Sequence, residues 1–106
     1  MSEDFDVTGN IKIIEWLKVE LLGAVTSLYR ALLKGTKASQ DILMECIASM
    51  IILTYLLSRR LGIEFSSIDL KVQNKLKIGI LEEDEIEKTH EDLSKLLNYI
   101  KERKQD

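Results

Sequence analysis

Two acids stand inside apolar runs: Glu20 between Val19 and Leu21-Leu22, and Glu45 between Met44 and Cys46. A carboxylate buried in such surroundings needs a cation, hydrogen-bond donors or a metal. If the two runs are neighbouring antiparallel helices, both carboxylates can meet at one hard cation. Magnesium takes oxygen ligands and keeps several waters, so it suits one or two carboxylates together with phosphate oxygens. The competing arrangement puts both acids on helix edges, paired with Lys18, Arg30 or Arg59. Other chemistry is thin. One histidine, His90, excludes a His-rich zinc site, and one cysteine, Cys46, excludes an internal disulfide. A Cys46–His90 nucleophile pair is outweighed by Cys46 as a small core residue, because it lies midway along the most apolar segment. His90 with Glu91 and Asp92 offers a general base or extra carboxylates, against the plainer reading of a solvated acidic helix start.

The elements that would position these groups are helical. In 106 residues there is no proline, and the five glycines are scattered singly. More than twenty residues run without a breaker between Gly35 and Gly62 and again after Gly79. An all-β chain needs turn chemistry every 8–12 residues or so. Ile14, Leu17, Leu21, Val25, Leu28 and Leu32 step by three and four, which predicts a first helix capped by Thr8 or Asn10 and ended by Gly35. Ser39 predicts the N-cap of a second helix from Gln40 to about Leu61, with Arg59 and Arg60 in its last turn and Gly62 as its stop. That helix is apolar nearly all round, which implies burial on more than one side and, in a chain of this size, a second subunit. Ser66 or Ser67 would cap a third helix ended by Gly79, and Asp84 with Glu87 would open a fourth along Ile86, Leu93, Leu97 and Ile100. The expected architecture is all-α, an oligomeric four-helix bundle. Its predicted divisions are a flexible N-terminus at 1–9, one helical domain at 10–100 and a charged tail at 101–106.

Charge and composition exclude several classes. The net charge is −3, and seven acids against Lys88 between Glu82 and Asp92 carry −6 of local charge. Arg59, Arg60, Lys71, Lys75 and Lys77 are too few, and too poorly supplied with aromatics, to predict nucleic-acid binding. The longest apolar stretch, Cys46 to Leu57, is interrupted by Ser49 and Thr54 and falls short of the roughly 20 residues of a membrane span. The N-terminus lacks the basic and apolar regions of a signal peptide. A cytoplasmic protein with no membrane partner is expected.

A first helix with an internal acid is followed by a linker and a second acid-bearing helix. That helix ends Leu56-Leu57-Ser58-Arg59-Arg60-Leu61-Gly62-Ile63-Glu64, and Lys75-Leu76-Lys77 follows. This order resembles the MazG-like family over roughly residues 10–80, and Arg60-Leu61-Gly62-Ile63 is its sharpest part. The resemblance implies an all-α homodimer or tetramer. It also implies cleavage of nucleoside triphosphates to monophosphate and pyrophosphate, with magnesium held by acids on the first two helices. Carried over by position, the first acidic motif falls on Glu20 to Gly23 and the second on Cys46 to Ser49. Glu20 is then a metal ligand, Glu45 matches an additional acid before the second motif, and Lys75 matches a phosphate-binding lysine. Gly23, Cys46 and Ser49 stand where the other three ligand acids would be, so catalysis is expected to be very slow or absent. The alternative function is a non-catalytic helical oligomerisation module.

Overall fold

The computed structural model describes residues 7–103, and every regular element among them is helical. In order these are α1 (Val7–Leu33), a 3-10 turn (Gly35–Lys37), α2 (Gln40–Arg60), α3 (Phe65–Leu81), α4 (Glu85–His90) and α5 (Asp92–Arg103). The all-α expectation holds, with five α-helices in place of four. Residues 1–6 and 104–106, where most of the predicted flexible N-terminus and half of the charged tail fall, lie outside the described residues. Residues 7–9 and 101–103 belong to α1 and α5, so both helices reach further than the sequence predicts.

Two compact units divide the chain at Phe65. The first is a hairpin of α1 and α2. Leu17 and Ala31 are buried on α1, with Ile14, Leu21, Ala24 and Leu28 half-buried along the same face. These positions recur every three or four residues, so one face of α1 packs on α2. Ser39 caps α2 as expected, its Oγ accepting the Ile42 N–H at 3.1 Å. At the far end Gly62 takes φ +85°, and the Ile63 N–H reaches the Ser58 carbonyl at 2.9 Å, a left-handed stop that suits glycine. Asn10 is not the cap of α1. It lies inside that helix, and its Nδ2 donates to the Arg60 carbonyl at 2.9 Å. It thus satisfies one of the carbonyls that the end of α2 leaves without a helical partner. Tyr55 and Phe65 pack edge to face at 5.8 Å beside this end.

The burial expected of α2 involves a second subunit, and the single chain leaves it largely uncovered. Within the single chain its one buried residue is Ser58. Ile42, Met44, Ile47, Ile51, Ile52 and Leu56 are all exposed. By length and composition α2 is also long and apolar enough to cross a membrane, with a mean hydropathy of 1.7 over an 18-residue window. Within this helix Thr54 turns its hydroxyl back onto the Met50 carbonyl at 2.6 Å.

The second unit comprises α3 beyond Phe65, α4 and α5. Leu76, Leu97 and Ile100 form its core, with Ile80 and Leu93 packed against them. Gly79 does not end α3, which runs on to Leu81. It is buried inside the helix, and a Cβ there would stand 2.7 Å from Leu93 Cδ1, so the residue is used for close approach. The predicted fourth helix is broken in two at Glu91, which adopts φ +56° and donates its N–H to the Glu87 carbonyl. The Glu87 carboxylate accepts from the Ser94 hydroxyl and, at 3.1 Å, from the Ser94 N–H. It therefore occupies the open amides at the start of α5.

Candidate metal and nucleotide site

The hairpin positions Glu20 and Glu45. The Asn10–Arg60 bond fixes its register, so an α1 residue and the α2 residue at its level have numbers summing to about 70. Glu20 is then level with Met50 and Glu45 with Val25, an offset of about 7.5 Å along the axes. Counting about 100° per residue from the packed faces places both acids on the same flank of the hairpin. Both are exposed. The requirement for a buried partner therefore falls away, and with it the expectation of a carboxylate pair locked between two helices. Lys18, one of the cations offered to Glu20, pairs with Glu15 at 2.9 Å instead.

The three other positions at which the resemblance implies ligand acids carry no carboxylate. Gly23 is exposed on the Glu20 flank, and a Cβ there would meet nothing within 4 Å. Cys46 and Ser49 are half-buried. Cys46 is a free cysteine, half-buried on the face of α2 that carries Leu43, Met50, Leu53 and Leu57. Among the described residues no group of three or more His, Cys, Asp or Glu side chains is placed to hold a metal ion. A magnesium ion would find at most two spread, solvent-facing carboxylates here, which is a poor fit for an ion that demands near-octahedral ligands. Lys75 is exposed on α3 in the second unit. His90 is exposed at the end of α4, Glu91 forms the break after it, and Asp92 opens α5. Trp16, four residues from Glu20, is 57% exposed on the same flank.

The order of helices, the acid on α1 and the stop at Gly62 agree with one family. The sequence profile described as MazG-like family matches residues 7–93, most of the chain. The chain belongs to the MazG-like family. The match covers α1, α2, α3 and α4 and enters α5. No curated protein and no solved structure matches this MazG-like chain.

Proposed function

We propose that this MazG-like protein engages nucleoside triphosphates weakly and releases pyrophosphate far more slowly than an ordinary enzyme. One observation carries the reading. The family match spans the acid-bearing helices, yet Gly23, Cys46 and Ser49 occupy three of the ligand positions implied by the resemblance. Glu20 would supply one carboxylate to a magnesium–phosphate unit and Glu45 an auxiliary one; Lys75, on the other unit, is the lysine that the resemblance implies for phosphate. A second reading, a helical assembly module with no small-molecule chemistry, is favoured by the apolar side chains exposed along α2.

Thermal melts separate the two. A ligand that binds the folded state raises Tm by mass action. Magnesium with a nucleoside triphosphate should raise Tm, and Glu20→Gln should shrink that rise. No shift at millimolar ligand leaves only the assembly module. Pyrophosphate release by the wild-type protein at about 1–10³ per second, the usual enzyme range, would show that the ligand argument is wrong.

A further inference from the structure

We propose that the closed end of the hairpin docks peripherally on an anionic lipid surface. Residues 21–40, from the middle of α1 to the start of α2, hold no acid, the longest such run in a chain with 18 acids among 106 residues. They hold three cations, Arg30, Lys34 and Lys37, all exposed. Among the described residues the one salt bridge joins Glu15 and Lys18, so none of the three has an ion-pair partner. Tyr29 and Leu33 stand four apart at the end of α1, and Arg30 and Lys34 repeat that spacing one residue on, with Lys34 still helical in backbone. The end of α1 therefore shows an apolar pair and, beside it, a cationic pair. Leu33, at 87%, is the most exposed large apolar side chain among the described residues. Leu32 joins Tyr29 and Leu33 around a shallow hollow of about 280 Å³, which acyl methylenes can fill.

Local structure does not account for all of this charge. The dipole of α1 favours Arg30 and Lys34 at its C-terminal end. Lys37 has the opposite setting, because it precedes the Ser39 cap at the positive end of α2. Unpaired cations on both sides of the turn at Gly35 suit an anionic partner outside the chain, and the net charge of −3 confines that attraction to this end. A lipid surface fits better than an acidic protein. Three apolar side chains among cations fall well short of the roughly 800 Å² that one partner gives to a stable protein interface. Peripheral membrane binding instead takes a small apolar signal and a basic one together. Lysine stems lie along apolar surface while their ammonium groups reach the headgroups. The contact stays at the surface, since α1 also carries Lys12, Glu15, Lys18 and Glu20, charges that are costly in hydrocarbon. The expectation of no membrane partner rests on span length and on the absence of a signal peptide, and surface docking needs neither. The inference is independent of nucleotide binding.

Co-sedimentation with vesicles tests it. The protein should bind vesicles of phosphatidylcholine and phosphatidylglycerol in equal parts, and should bind phosphatidylcholine alone far more weakly. Each cation beside an anionic surface strengthens binding about fivefold, so Arg30→Gln, Lys34→Gln and Lys37→Gln together should weaken it about a hundredfold. Lys12→Gln, Lys71→Gln and Lys77→Gln, an equal loss of charge elsewhere, should bind as the wild type does. Added salt should weaken wild-type binding by screening. Far-UV circular dichroism checks that each variant is helical. A second measurement locates the contact. An environment-sensitive fluorophore on Leu33→Cys in a Cys46→Ala background should shift to the blue on the anionic vesicles. The same label on Leu81→Cys, a position 83% exposed in the wild type, should not. Absence of binding to the anionic vesicles, equal binding to phosphatidylcholine alone, equal losses in the two triple variants, or a label on Leu81→Cys that shifts as much as the one on Leu33→Cys would each overturn the proposal. Binding to polyglutamate without binding to vesicles would overturn it in favour of an acidic protein partner.

Discussion

The α1/α2 hairpin and the α3–α5 unit handle apolar residues differently. The shorter unit closes on itself: Leu76, Leu97 and Ile100 are each no more than 8% exposed, and Gly79 lets Leu93 come within contact of the α3 backbone. The longer unit buries Leu17 and Ala31 and leaves large side chains exposed along both its helices. Two helices have one mutual interface, so a pair that is apolar on several faces cannot cover itself. Helix length thus does not measure self-sufficiency. The second unit gains its core because α5 folds back on α3 through the break at Glu91, whereas the hairpin leaves large apolar side chains exposed along both its helices.

The largest expected effect compares equal truncations in the two units. Leu97→Ala should cost about 2–5 kcal/mol, since it empties a packed site. Ile47→Ala, at 46% exposure, should cost no more than about 0.5 kcal/mol in an uncovered hairpin. Under a second copy its cost rises toward the core value. Urea denaturation of both variants over a range of protein concentrations measures the difference, and a small, concentration-independent cost for Ile47→Ala would mean that the hairpin is bare. A smaller effect should change sign between the units. Gly23→Ala enters open space in a helix and should stabilise by about 1 kcal/mol. Gly79→Ala gains the same helix preference but drives a Cβ to 2.7 Å from Leu93 Cδ1. Overpacking of this kind costs about 1–3 kcal/mol, so the net result should be destabilising by about 1 kcal/mol. Equal melting shifts for the two alanine variants would remove the close contact at Gly79 from the account.

How much of this was legible in the sequence depends on whether the cause was local. Ser39, Gly35 and Gly62 act on their own backbone, and each stands where the sequence puts it. Asn10 was misread because its partner, the Arg60 carbonyl, lies 50 residues away. Gly79 was misread as a stop because its use depends on Leu93, a contact of tertiary packing. Glu91 gave no sign of a break, since a left-handed conformation is uncommon for a residue other than glycine. The burial expected of Glu20 and Glu45 came from apolar neighbours in sequence. In a helix those neighbours project about 100° to either side, so Val19 and Leu21 say little about the face that Glu20 occupies. The pairing of the two acids on one flank could be read only after Asn10 had set the register.

The smallest effect concerns the break that lets the second unit close. The Ser94 hydroxyl, donating to Glu87, holds that carboxyl below the usual carboxylate range. Burial opposes this, and the Ser94 and Leu93 amides and the Lys95 charge add to the lowering. Protonation removes an acceptor from the open amides of α5 and the negative charge that its helix dipole favours. The folded pKa is lower than the unfolded one, so ionised Glu87 favours the folded state. Its contribution is fully present above the unfolded pKa and is lost as pH falls through the folded pKa. Wild type and Glu87→Gln should therefore differ most near neutral pH, with the wild type more stable, and should converge below the ordinary carboxylate range. Ser94→Ala should remove much of the pH dependence, because it deletes the strongest of the donors. Melting curves from neutral to acid pH on the three proteins check this. A gap between wild type and Glu87→Gln that stays constant down to acid pH would mean that the glutamate acts by packing, and that the α4–α5 junction is held by something other than its charge.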